Sequence, residues 1–72
     1  MEELAKDLRY VLKGFDGCTV EPGIDDVLVY KDNDVISSYL AATIYDFAKA
    51  HSLLCFIGIS YKGHLRFVLY KD

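Results

Sequence analysis

The chain has 72 residues, of which 53% are hydrophobic and 26% are charged, and its formal net charge is −3. This length allows one small domain over residues 1–72 with a single core, and the composition is too hydrophobic for intrinsic disorder. The negative charge argues against a protein held on nucleic acid by charge alone, and no apolar run is long enough to span a membrane.

The beginning of the chain and its cysteines bear on the compartment. The sequence starts MEELAKDLRY, with acidic residues and no long apolar run, which is not the pattern of a signal peptide. The chain has two cysteines, Cys18 and Cys55. We therefore expect a cytoplasmic protein with both thiols reduced, and a single disulfide between them would require another export route.

A first helix is predicted over residues 2–15. Its apolar residues, from Leu4 to Phe15, recur at helical spacing. Glu2 and Glu3 lie where the helix dipole is positive, and Gly14 is the expected stop because glycine enters the left-handed conformation without steric cost.

Two strands are predicted after this helix. Pro22-Gly23 is a turn signal, and residues 18–20 before it are a candidate short strand. The next segment, DVLVYK at 26–31, contains an unbroken apolar run bounded by turn residues. Such a run indicates a strand that is covered on both faces or lies in the middle of a sheet.

A second helix is predicted from the segment Asp32-Asn33-Asp34, which offers N-cap side chains, to about His51. Its predicted core stripe consists of Ile36, Leu40, Thr43, Ile44 and Phe47. The opposite side, around Ala41 and Tyr45, is small and nearly uncharged, which indicates packing against something else.

The last twenty residues predict a β-hairpin. A three-residue loop of Tyr61, Lys62 and Gly63 places glycine at the left-handed position after a type I turn. Ser60 then opposes His64. In this register one face is uniformly apolar and is expected to be core, and its residues are Cys55, Ile57, Ile59, Leu65, Phe67 and Leu69.

Together these elements predict an α+β two-layer sandwich of order α-(β)-β-α-β-β. Two helices would cover a three- or four-stranded mixed sheet that ends in the hairpin. The mixed sheet follows from the strand–helix–strand unit at 26–60, which normally leaves its two strands parallel. We favour both helices on one face of the sheet over one helix on each face.

With both helices on one face, the other face carries an uncovered apolar patch. Its centre is Leu54, Phe56, Val68 and Tyr70, with Arg66 and His64 at the rim. Monomers seldom expose large apolar patches, and short chains often gain burial from a second copy. We therefore predict a non-enzymatic protein-interaction module that homodimerises through this face or binds another protein there, and no membrane.

Single-stranded nucleic acid is the alternative ligand for the same face. Phe56 and Tyr70 would stack on bases, and Arg66 would hold phosphate. The few basic residues and the negative net charge make this hypothesis weaker than the hypothesis of protein association.

No enzyme, metal or cofactor motif is evident. The six acids between Asp16 and Asp34 lack the glycine and distant glutamate of an EF-hand loop. The two histidines and two cysteines are not paired at zinc-ligand spacing. Cys18 is the better nucleophile candidate, but no base or orienting group lies near it in the sequence. We expect no cofactor and no cleft of perturbed titratable groups.

Overall fold

A computed structural model describes residues 1–60 and 62–72 of the chain. The elements in chain order are α1 (Glu2–Val11), β1 (Cys18–Pro22), β2 (Asp26–Lys31), α2 (Ser38–Ala50), β3 (Leu54–Ile59) and β4 (Leu65–Tyr70). The predicted class is confirmed, with two helices on one four-stranded sheet that ends in a hairpin. The short strand before the Pro22-Gly23 turn also forms, and it extends through Pro22.

The sheet has the strand order β1-β2-β4-β3, and every neighbouring pair is antiparallel. The prediction of a mixed sheet is therefore wrong, because a mixed sheet would also contain a parallel pair of neighbouring strands. β2 and β3 do run in the same direction, as the strand–helix–strand unit predicts, but they are not neighbours. β4 turns back from β3 and lies between them, so each of its two partners is antiparallel to it.

Both helices are shorter than their sequence patterns predict. α1 ends at Val11 with Leu12 as its C-cap, before Gly14 is reached. α2 begins at Ser38, and its N-cap is Ser37, whose side-chain oxygen accepts a hydrogen bond from the Leu40 N–H at 3.1 Å. A serine side chain in this position satisfies one of the N–H groups that the first helical turn leaves unpaired.

The predicted caps at residues 32–34 form a turn and not a helix start. Asp34 has a positive φ of 56°, and its N–H donates to the Lys31 carbonyl at 3.1 Å. The Asn33 side-chain oxygen accepts from the Val35 N–H at 3.0 Å. Asn and Asp side chains that bond to nearby backbone in this way compete with helix formation.

The core lies between the sheet and the two helices, which pack on the same face. One cluster of buried residues joins both helices to the same-face positions of the strands. Its members are Ala5, Leu8, Leu12, Val20, Val27, Val29, Leu40, Ile44, Phe47, Ala48, Leu53, Phe67 and Leu69. The layer arrangement favoured from the sequence is therefore the one that the chain adopts, and neither α1 nor α2 covers the second face of the sheet.

The helical layer does not reach β3 at the turn end. Ile57 and Ile59 were expected in the core, yet they are 45% and 68% exposed. The Tyr45 ring of α2 meets the Phe67 ring of β4 edge-on, with 6.0 Å between centroids. Further along β3, Cys55 does pack against the core.

The outer side of α2 also differs from its prediction. Ala48 is buried and Ala41 packs against the core, so both lie on the core side of α2. Tyr45 is 42% exposed, whereas Ala41 is partly buried against the core, so the predicted second interaction surface around Ala41 and Tyr45 is open to solvent mainly at the tyrosine. The buried side of α2 is therefore rotated about the helix axis relative to the predicted core stripe.

Candidate functional site: the open face of the sheet

The hairpin has the register that its sequence predicts, and this register decides which side chains share a face. Ile59 pairs with Leu65 and Leu54 pairs with Tyr70. Gly63 has a positive φ of 83°, and the Ser60 N–H donates to the His64 carbonyl at 2.9 Å. Tyr61, the first residue of the predicted loop, lies outside the described residues.

Strand alternation then defines the side of the sheet that the helices leave uncovered. We call it the open face. Three cross-strand rows make it up, and their residues are Thr19, Tyr30, Arg66 and Gly58 nearest the hairpin turn, then Glu21, Leu28, Val68 and Phe56, and then Asp26, Tyr70 and Leu54.

The apolar half of the open face consists of Leu28, Leu54, Phe56, Val68 and Tyr70. Leu54 is 43% exposed and Phe56 is 46% exposed. The Phe56 and Tyr70 rings meet in a T-shaped arrangement with 5.7 Å between centroids. Val68 is only 7% exposed, and it is not a member of the helix-side core cluster, so neighbouring side chains of the open face cover it. The sequence-predicted patch is therefore brought together, with Val68 as its floor and the two rings above.

Arg66 lies at the centre of the row nearest the turn, between Tyr30 and Gly58. Its Nε is buried and has no hydrogen-bond partner among the described residues. The Phe56 ring lies over Gly58, where a Cβ atom would come within 3.3 Å of the ring. Any larger residue at position 58 would crowd this ring, so glycine permits the position that Phe56 takes.

A shallow polar depression of about 490 Å³ adjoins this row, and it is lined by Thr19, Glu21, Tyr30, Ser60, Lys62 and His64. Asp34 contacts two residues at the rim of this depression, His64 and Leu65. One carboxylate oxygen of Asp34 lies 3.1 Å from His64 Nδ1, and the other accepts from the Leu65 N–H at 3.0 Å. The sequence pattern assigned Asp34 to a helix cap, and nothing in that pattern indicates a bond across thirty residues of chain.

The two cysteines lie on opposite edges of the sheet, Cys18 in β1 and Cys55 in β3. Three interstrand spacings, about 14 Å, separate these two strands. This distance is too long for a disulfide bond between Cys18 and Cys55. Burial raises the pKa of the Cys18 thiol; Lys31 lowers it and Asp32 raises it further. Burial also raises the pKa of Cys55 to about 11. Neither thiol is therefore activated as a nucleophile.

Two further findings concern the described residues as a whole. Within residues 1–60 and 62–72, no three His, Cys, Asp or Glu side chains are arranged to hold a metal ion. In the same part of the chain, neither helix has the length and apolar character needed to cross a membrane.

Comparison of the chain with protein-family models, with curated proteins and with solved structures finds no match.

Proposed function

We propose that this chain is a non-enzymatic protein-association module that forms a homo-oligomer through the open face. Leu54, Phe56 and Tyr70 provide the apolar contact over the Val68 floor, and the polar residues nearer the turn form its rim. One observation supports this most directly. Both helices pack on the other side of the sheet, so two large apolar side chains of the open face remain nearly half exposed.

The size of the chain favours a second copy as the partner. A domain of this length buries only about 60% of the surface that its unfolded chain exposes, so its stability gains from additional burial. A two-fold contact between identical open faces would stack the Phe56 and Tyr70 rings of two copies and bury them together. Such a contact needs no other protein.

The rim adds charge complementarity to this contact. Arg66 lies towards one side of the open face, and Glu21 lies on β1 at the other side. Charged rims usually orient a contact and suppress wrong partners. A two-fold axis lets the Arg66 guanidinium of one copy meet the Glu21 carboxylate of the second, so that opposite charges face each other across the contact.

The test is the mass in solution of a charged variant. Phe56→Asp combined with Tyr70→Lys should halve the mass measured by light scattering, because each substitution places a charge in the apolar contact. The matched control is Val35→Asp with Tyr10→Lys, which introduces the same two charged residues at positions that are 64% and 69% exposed outside the open face. The control should keep the unmodified mass. An unchanged mass in the first variant, with the fold intact by circular dichroism, would rule out this face.

Single-stranded nucleic acid is the second candidate ligand of the open face. The observation in its favour is that Arg66, whose Nε has no hydrogen-bond partner among the described residues, shares the open face with the aromatic side chains of Tyr30, Phe56 and Tyr70. Glu21 and Asp26 on the same face weaken it, since they repel phosphate.

Fluorescence anisotropy with a labelled short single-stranded RNA at low salt tests this candidate. Arg66→Glu should abolish binding, whereas Lys49→Glu on α2 should leave it unchanged. If the unmodified protein does not bind at all, the nucleic-acid function is eliminated.

A further inference from the structure

The outer edge of β3 is the second unusual surface of this molecule. The Ser60 N–H and carbonyl both bond inside the hairpin, to His64 and Gly63. Because backbone groups alternate in direction along an antiparallel strand, those of Cys55, Ile57 and Ile59 point away from β4. No described residue bonds to them. We call this row the β3 edge.

The side chains beside the β3 edge are apolar on both sides of the sheet. Leu54 and Phe56 are exposed on the open face, and Ile57 and Ile59 are exposed on the helix side. The strand LCFIGI contains no charged residue and no proline. Soluble proteins normally protect an edge strand with charge, proline, a bulge or a covering element, because a bare edge pairs with another strand.

We propose that β3 pairs antiparallel with β3 of a second copy, about a two-fold axis through Ile57. The pairing joins two four-stranded sheets into one continuous sheet. Ile57 faces Ile57 of the second copy, and Cys55 faces Ile59 of the second copy. These are the residues whose backbone groups point outward, so each facing pair exchanges two N–H···O=C bonds.

The residue pattern of β3 suits a copy of itself. In this register Phe56 faces Gly58 of the second copy, so a large side chain lies opposite a position that has none. On the helix side, the exposed Ile57 and Ile59 side chains of both copies meet in one apolar cluster. No like charges face each other, because the strand has none. This contact goes beyond the proposed function, since it uses the strand edge and not the open face.

Disulfide cross-linking tests the register directly. In a background with Cys18→Ala and Cys55→Ala, the variant Ile57→Cys places two thiols opposite each other with Cα atoms about 5.5 Å apart, within the range that a disulfide bridges. Ile59→Cys in the same background is the matched control, because position 59 lies about 13 Å along the strand from position 59 of the second copy.

The expected result is efficient formation of covalent dimer by Ile57→Cys and at least about tenfold less by Ile59→Cys, because only the first pair meets the geometric limits of a disulfide. Exposure alone predicts the reverse order, since Ile59 is 68% exposed and Ile57 is 45% exposed. Restoring Cys55 should then allow Ile59→Cys to cross-link. Slow cross-linking by Ile57→Cys, or faster cross-linking by Ile59→Cys alone, would overturn the proposal.

A second variant separates this contact from the open-face contact. Ile57→Lys puts like charges on the two-fold axis and should halve the mass in solution, while its side chain lies on the helix side and leaves the open face unaltered. Tyr70→Lys, on β4, should leave the cross-link at position 57 intact even where it breaks the open-face contact. Loss of that cross-link in Tyr70→Lys would show that the β3 edge has no contact of its own.

Discussion

The two edge strands of this sheet, β1 and β3, differ in how far their outward backbone groups and side chains are covered. At β1, Pro22 has no N–H to offer, and the Val20 carbonyl accepts a hydrogen bond from the Arg9 guanidinium at 3.0 Å. The Val20 side chain is 7% exposed beneath α1. At β3, the outward backbone groups have no partner among the described residues, and Ile57 and Ile59 are largely open to solvent. One edge is blocked, and the other resembles the surface of an interface.

This difference bears on what kind of assembly the chain can form. A sheet with two open edges can add copies without limit and form fibres. A sheet with one blocked edge can pair only through the other, and a two-fold pairing then closes the assembly. Pro22 of β1 and Arg9 of α1 therefore matter for the β3 edge. They block pairing at the β1 edge, so strand pairing through the β3 edge stops at two copies.

The largest expected difference between the edges is in tolerance to a buried charge. Val20→Asp should lower the free energy of unfolding by about 3 kcal/mol or more, because it places an unpaired carboxylate beneath α1. At a protein concentration low enough for the chain to be monomeric, Ile59→Asp should change it by about 0.5 kcal/mol or less, as is usual at exposed sites. Urea unfolding of the two variants measures both values. Equal destabilisation would contradict the assigned burial.

The cysteine of the β3 edge gives the next largest effect. With its pKa raised to about 11, Cys55 in a Cys18→Ser variant should react with iodoacetamide at pH 8 about a hundredfold more slowly than a small thiol. Its rate should keep rising with pH up to about 11. The pKa of Cys55 is higher in the folded protein than in the unfolded chain. The contribution of its protonated thiol to stability is therefore complete at neutral pH, below the unfolded-state pKa, and it is lost as the pH rises to about 11. Labelling at the small-thiol rate would show that Cys55 is not desolvated.

A smaller effect is expected from the arginine that blocks β1. Arg9→Met should lower the free energy of unfolding by about 1 kcal/mol, because it removes one hydrogen bond to the Val20 carbonyl and keeps most of the side-chain packing. Lys6→Met on the same helix serves as the control in thermal unfolding, and it should have less effect. The reverse order would mean that the Arg9 contact does not stabilise the edge.

Among the substitutions at the β1 edge, the smallest change in stability is expected for Pro22→Ala, about 0.5 kcal/mol of destabilisation from the added freedom of the unfolded chain. Its consequence for assembly should be larger when it is combined with Arg9→Met, because the β1 edge then regains an N–H and a free carbonyl. Light scattering of the double variant should show species larger than those of the unmodified protein. A mass equal to the unmodified one would mean that the cover of α1 alone blocks this edge.

Local signals in the sequence were sufficient where neighbouring residues decide the structure. The strand at 26–31 and the hairpin register are found as predicted. A turn fixes register locally, because glycine at position 63 adopts a conformation that other residues avoid. The start of α2 was misplaced because Asp34 bonds to His64 and Leu65, which lie far away in the sequence.

By itself, the sequence determined the order of the elements, the pairing of the last two strands and the residues of the apolar patch, since periodicity and turn chemistry are properties of short segments. Only the tertiary structure decided that β4 lies between β2 and β3, that Tyr45 of α2 meets Phe67 of β4, and that Ile57 and Ile59 are exposed. The physical reason is that an alternating apolar strand has the same pattern whether a helix covers it or not, and what covers it comes from distant parts of the chain.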